Sequence, residues 1–418
     1  VTAELSEAPS KRPPTRRRVR KRPLRRAWDY THRWSALILG MFLVVETTSG
    51  AILLYNAELF RATHSTFYQH TASTTPMDAE QAMQVVQRAH PDFPAGWVSP
   101  DGGILAVGSA DYSSAYAVDP GTGHINGFAD LNGGVLGFLV NMHDCAFTCA
   151  GSPGTVGTLS HPVPTLGTTW LNGITWGALI LGTLGLFMVL LGISGIILWW
   201  PTFARFSHGF RLRLKKGRYA RDLDLHNVIG IVSIPFLLMW GITGAAFELP
   251  VVEKAWLAMT GGNSTVDESR FTFTPREGAA DRPTLSVTEA ADVALSHAAG
   301  RVSYLTVPTP DADYYSVAVA GDYAPYGGRA FYSGDVMVYI NPHDRDDVKV
   351  TDASHDQPLA NTFYDKVFEP AHFGWLVSGW WRSIWFGFGM TPLILMVTGV
   401  STWLFKRGVA KRRRAATR

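Results

Sequence analysis

Four stretches of this chain stay apolar over the width of a bilayer, roughly 34–55, 174–200, 227–248 and 383–405. A helix rises about 1.5 Å per residue, so about 20 apolar residues cross the hydrocarbon core. The pattern divides the chain into a basic tail (1–31), a first span (32–56), a long polar segment (57–172) and a second span (173–200). A short loop (201–224), a third span (225–248), a second long polar segment (249–378), a fourth span (379–405) and a basic tail (406–418) complete it.

The two long segments read alike. In the first, Met77–His90 carries apolar residues at helical spacing, and the strands that follow turn at Tyr116–Ile125 (YAVDPGTGHI), a hairpin signal. In the second, Thr284–Ala299 reads as a helix and is followed by the alternating stretches Tyr314–Ala320 and Val336–Asp344. The order span, helix-plus-hairpin domain, span is used twice, which predicts an internal duplication. The predicted fold is an α-helical membrane protein with four transmembrane helices plus two extracytoplasmic α+β domains.

Charge adds an orientation. Of the 37 Lys and Arg residues, 25 fall within 1–33, 201–224 and 406–418. Basic residues are retained on the cytoplasmic face, so both termini and the short loop are expected there and both long segments outside. Residues 1–26, rich in Arg and Pro, are expected to be disordered. Their charge reads as a topology signal with affinity for anionic lipid, with no nucleic-acid partner. The first span is too long for the apolar core of a signal peptide, so it is expected to remain as an anchor.

A histidine precedes each apolar run: His32, His143, His226 and His372. In the first and third spans a glycine follows eighteen residues later, Gly50 and Gly244. The other two runs end on Gly195 and Gly399, each followed four residues on by a tryptophan. Ionisable groups at the edge of a span need partners. Neutral imidazole is a usual axial ligand of b-type haem, and two of them saturate the iron, which suits electron transfer. Topology pairs His32 with His226 at the cytoplasmic level and His143 with His372 at the outer level, giving two b haems. The glycines would admit porphyrin edges where a side chain would not; close helix packing through small residues is the other reading. Arg382, among Trp380, Trp381 and Trp385, is a candidate partner for a haem propionate. Glu46, inside the first span, is read either as a proton relay or haem-side charge or as a structural carboxyl.

Two cysteines occur, Cys145 and Cys149, without the Cys-x-x-Cys-His of covalent haem attachment. A disulfide suits an outer segment; a reactive thiol or metal pair is the alternative. No glycine-rich phosphate loop follows a strand, so electrons are expected from a quinol or a separate cytoplasmic reductase.

Several motifs together carry a resemblance: HRW at His32–Trp34, Ser49-Gly50, ISGIILWWP at Ile193–Pro201, DLHNVIG at Asp224–Gly230, VTGVSTWLFKR at Val397–Arg407 and the turn VDPGTG at Val118–Gly123. In these the chain resembles the PepSY-associated transmembrane family, bacterial inner-membrane proteins with two outer PepSY domains. The resemblance implies a di-haem ferric-siderophore reductase, with its acceptor at the outer face. One spacing departs from the repeat. His372 precedes Gly399 by 27 residues and His143 precedes Gly195 by 52, with Cys145, Cys149 and His161 between, which leaves His161 as an alternative outer ligand. Two other classes stay open, a non-enzymatic membrane-anchored PepSY binding module and a solute or iron transporter.

Overall fold

The structure, a computed structural model, describes residues 23–200, 203–265, 272–276, 283–321, 336–351, 358–376 and 379–416, with 203–205 as backbone alone. The tail before residue 23, expected to be disordered, lies outside the described residues. Residues 23–26, placed in that tail by composition, instead open the first helix. Proline at a helix start has no N–H to leave unpaired, and arginine is a good helix former.

From α1 (Pro23–Leu53) the chain passes through α2 (Asn56–Thr63) into the first unit. That unit is α3 (Ala79–Ala89) followed by β1 (Ala95–Asp101), β2 (Ile104–Ser109), β3 (Ser114–Val118) and β4 (Ile125–Asp130). Helix α4 (Gly134–Cys145) and a loop lead to α5 (Trp176–Trp199), then α6 (Arg218–Glu248) and α7 (Pro250–Thr260). The second unit is α8 (Val287–His297), β5 (Arg301–Thr306), β6 (Tyr315–Ala320), β7 (Val336–Asn341) and β8 (Asp344–Thr351). Two short helices, α9 (Leu359–Phe363) and α10 (Glu369–His372), precede α11 (Arg382–Gly389) and α12 (Thr391–Ala415).

Among the described residues four helical segments are long and apolar enough to cross a membrane: α1, α5, α6 and the stretch Gly379–Ala415. The middle two meet backbone to backbone. A Cβ on Gly185 would lie 2.7 Å from the Gly241 carbonyl oxygen, and one on Gly241 would lie 2.9 Å from that of Gly185. Small residues at such a crossing are the usual device of membrane helices. Leu43, Leu184, Met188 and Leu237 close the centre of the bundle.

All eight strands form one antiparallel sheet in the order β4-β3-β2-β1-β5-β6-β7-β8. The two units join edge to edge, with Trp97 opposite Thr306 and Val98 opposite Leu305. A bare edge strand leaves N–H and C=O groups unpaired; β1 and β5 satisfy each other's. Helices α3 and α8 cover one face over a shared core that includes Val86, Val98, Val107, Val293, Val317 and Val338. The two helix-plus-hairpin units thus share one sheet and one core.

Local chemistry repeats between the units. Asp78 and Gln81 cap α3 reciprocally, as Ser286 and Glu289 cap α8. The residue ahead of each cap donates its N–H to a hairpin proline, Met77 to Pro120 O at 2.8 Å and Leu285 to Pro342 O at 2.7 Å.

Asp119 holds the first of these turns. Its carboxylate accepts from the Thr71 N–H at 3.0 Å, the Gly121 N–H at 2.9 Å and the Thr122 hydroxyl at 2.8 Å. Burial opposes its charge, but these donors outweigh that and hold the carboxyl well below the usual carboxylate range. A lowered folded-state pKa contributes stability above the unfolded value of about 3.9, and that stability is lost as pH falls towards the folded value. Asp119→Ala is expected to cost about 1–3 kcal/mol at neutral pH. Thermal unfolding of both proteins across pH 7 to pH 3 checks this, and the gap between them should narrow at the acid end.

Candidate functional site

The four histidines that precede the apolar runs come together as two pairs inside the bundle. His143, near the end of α4, faces His372 at the end of α10, with ring centres 6.3 Å apart. His32 of α1 faces His226 of α6, with ring centres 6.4 Å apart. On α1, Glu46 and Gly50 lie fourteen and eighteen residues after His32. The two pairs therefore stand about 21–27 Å apart along the helix axis. The His143–His372 pair is on the side of the sheet, and the His32–His226 pair is distal.

Each imidazole is held by another helix in the same way. His32 Nδ1 lies 2.8 Å from the Ser194 hydroxyl, and His226 Nδ1 lies 3.1 Å from that of Thr398. His372 Nδ1 lies 2.7 Å from the Thr243 hydroxyl, and His143 Nδ1 lies 3.2 Å from that of Ser49. All four hydroxyls donate their single hydrogen to a carbonyl of their own helix: Ser194 to Leu191, Thr398 to Ile394, Thr243 to Met239 and Ser49 to Glu46. A hydroxyl whose hydrogen is committed can only accept. Each histidine therefore donates from Nδ1 and keeps the lone pair on Nε2. Carbonyl oxygens of Glu46 and Leu395, which can only accept, lie 2.9 Å and 3.1 Å from Nδ1 of His143 and His226 and require the same tautomer.

The residue after each hydroxyl is one of the four glycines. A Cβ built on Gly50 would overlap the His143 ring, and one on Gly399 would lie 3.3 Å from His226. On Gly244 it would lie 3.5 Å from His372, and on Gly195 3.8 Å from His32. At Gly50 and Gly399 the absent side chain thus makes room for an imidazole from a neighbouring helix, while at Gly244 and Gly195 a Cβ would meet the ring at ordinary contact distance. The hydroxyls themselves escaped sequence reasoning as a set. Their signal is a Ser-Gly or Thr-Gly dipeptide in every span.

A cavity of about 560 Å³ opens beside the sheet-side pair, lined by His143, His372, Gly50, Gly244, Glu46 and Trp240 among others. Ligand sites commonly fall between about 300 and 1,000 Å³. Indole N–H groups steady the short helix that carries His372: Trp240 donates to its carbonyl at 3.1 Å and Trp385 to that of Ala371 at 2.8 Å. Glu46 turns its carboxylate to His143, with Oε1 3.0 Å from Nδ1.

Other candidates fall elsewhere. Arg382 is buried, with its guanidinium on Glu58 and on the Leu54 carbonyl and 5.1 Å from the centre of the Tyr55 ring, and it does not line the cavity. His161 is exposed. Cys145 and Cys149 are disulfide-bonded just past His143. His64 and His90 stack on Phe60 and Tyr116, while His355 lies outside the described residues. Among the described residues no three or more His, Cys, Asp or Glu side chains are grouped to hold a bare metal ion.

The family model of the PepSY-associated TM region matches residues 30–406. No curated protein matches the chain.

Proposed function

The chain belongs to the PepSY-associated TM family, and we propose that it is a membrane cytochrome whose histidine pairs each hold one b-type haem. The observation that carries this reading is the spacing of the rings. A ligating imidazole nitrogen sits about 2.0–2.1 Å from a first-row metal and about 1.1 Å from its own ring centre. Two imidazoles on opposite sides of one ion would have centres about 6.2–6.4 Å apart on those lengths, and the pairs stand at 6.3 Å and 6.4 Å. Their free Nε2 lone pairs are the donors such an ion needs. Among the described residues no group of three or more metal-ligating side chains is found, so an ion held at either pair would need further ligands of its own, as haem iron has.

When bound, the haem supplies one-electron exchange between ferric and ferrous iron. The chain's own residues do the rest. Ser49, Ser194, Thr243 and Thr398 fix ring orientation and proton position, and Leu43, Leu184, Met188 and Leu237 exclude water between the two levels. In this reading the sheet lies outside the bacterial inner membrane and the distal pair near the cytoplasm. Electrons arrive from a quinol or a separate cytoplasmic reductase. The acceptor is a ferric siderophore, a choice that rests on family likeness.

A pyridine haemochrome count with a reduced-minus-oxidised spectrum on detergent-purified protein tests the proposal. Two haems per chain with low-spin bands are expected; well-folded protein without a Soret band overturns it. Mixing reduced protein with a ferric siderophore and a ferrous chelator then tests the acceptor.

The hydroxyls provide a graded check. Removing the partner of a ligating imidazole typically costs about 10–100-fold in metal affinity. Thr243→Val is expected near the upper end and Thr398→Val near the lower, because His226 keeps the Leu395 carbonyl. Haem retention during dialysis against apomyoglobin measures both.

A further inference from the structure

We propose that Glu46 is a positioning residue that lowers the reduction potential of the sheet-side centre by setting its carboxylate against Nδ1 of His143. This inference rests on the cytochrome reading above. Three of the four histidine clamps are built from neutral groups alone: a serine or threonine hydroxyl, with a backbone carbonyl added at His226. The fourth departs from that pattern at one position.

The position is three residues before the hydroxyl. On α5, α6 and α12 it is filled by Leu191, Trp240 and Leu395; on α1 it is filled by Glu46. The helical register is the same in each case, so a side chain at this position lies near the imidazole that the hydroxyl holds. Leucine and tryptophan have no acceptor to offer. Glu46 brings a carboxylate oxygen to 3.0 Å from His143 Nδ1, beside its own carbonyl at 2.9 Å and the Ser49 hydroxyl at 3.2 Å.

A carboxylate within a span is costly and persists where something pairs with it. Here the Nδ1 edge of His143, 3.0 Å away, is that partner. Around a side chain only 19% exposed the low dielectric strengthens this electrostatic contact. Negative charge beside Nδ1 raises the electron density at Nε2 and makes His143 a stronger donor. A stronger donor, with a negative charge behind it, favours ferric over ferrous iron. Second-shell hydrogen bonding is among the levers by which proteins set haem potentials. Glu46 thus makes the sheet-side centre a stronger reductant than a neutral residue at this position would, a useful property for the centre nearer an external ferric acceptor.

The test is a redox titration of detergent-purified wild type and Glu46→Gln, followed in the visible haem bands after haem counting. Glutamine keeps the size and an acceptor oxygen and removes the charge. The expected result is two haems in both proteins, with one midpoint potential raised in the variant and the other unmoved. The ferric low-spin EPR signal of one centre should shift in parallel. Two unmoved potentials in a two-haem variant overturn the assignment. Loss of one haem from Glu46→Gln also overturns it, since Glu46 would then retain the haem instead of tuning it. The converse variant, Leu395→Glu, sets a carboxylate at the matching position beside His226 and should lower the distal potential; an unmoved or raised value counts against the mechanism. Wild-type protein without haem fails at the count, before any titration, and removes the cytochrome reading together with this inference.

Discussion

If each histidine pair holds one haem, as proposed, replacing His226 with Ala is expected to yield a protein that purifies with one haem in place of two. A distal iron would keep His32, but a single imidazole would forfeit the saturated low-spin site. The space left by the ring also opens the bundle beside Gly399, where His226 now packs. The sheet-side pair is about 21–27 Å away along the helix axis and shares no clamp with the distal one, so its haem stays and its bands keep their shape. A pyridine haemochrome count reads the change from two to one. Imidazole added during purification should refill the vacated position and restore part of the lost haem. A His226→Ala protein that retains both haems, or loses both while still folded, contradicts the pairing of His32 with His226.

A second large effect is expected at Gly50. An alanine Cβ there would overlap the His143 ring and lie 2.9 Å from Nε2, the atom proposed to face iron. The ring cannot move aside without leaving Glu46 and Ser49. Overpacking of this kind costs about 1–3 kcal/mol, or roughly 5–150-fold in affinity at the sheet-side centre. The four glycines should then rank by the room each leaves. Gly50→Ala is the most damaging, Gly399→Ala follows, with its nearest ring atom at 3.3 Å, and Gly244→Ala and Gly195→Ala, at the ordinary contact distances of 3.5 Å and 3.8 Å, are nearly silent. Haem content of the four variants, purified side by side, gives the order. If Gly195→Ala loses as much haem as Gly50→Ala, the glycines serve helix packing in general and not these rings.

The insertion after His143 accounts for the spacing that left His161 as an alternative to it. His143 precedes Gly195 by 52 residues, which made His161 a competitor. Fully buried Asn141 folds the insertion back onto α4. Its side chain donates to the Pro153 carbonyl at 3.1 Å and accepts from the Cys149 N–H at 2.9 Å. The extra length is spent in that loop, and His143 stays level with His372. Arg382 illustrates the opposite limit. Its place among tryptophans suggested a propionate partner, yet Glu58, more than three hundred residues earlier, takes its guanidinium.

The spans, the four histidines and the eighteen-residue spacings were legible because each is local. A helix converts sequence separation into height at a constant rise, so residues on one span declare their level unaided. The paired helix-plus-hairpin units were legible for the same reason, since alternation and caps are read within a few residues. Which hydroxyl holds which imidazole was not, because those partners sit on different helices 94 to 172 residues apart. Nor was the pairing of β1 with β5, because a strand's own pattern does not name its neighbour. The contact between Glu46 and His143 belongs with these. It depends on how α4 packs against α1, and only the assembled bundle decides that.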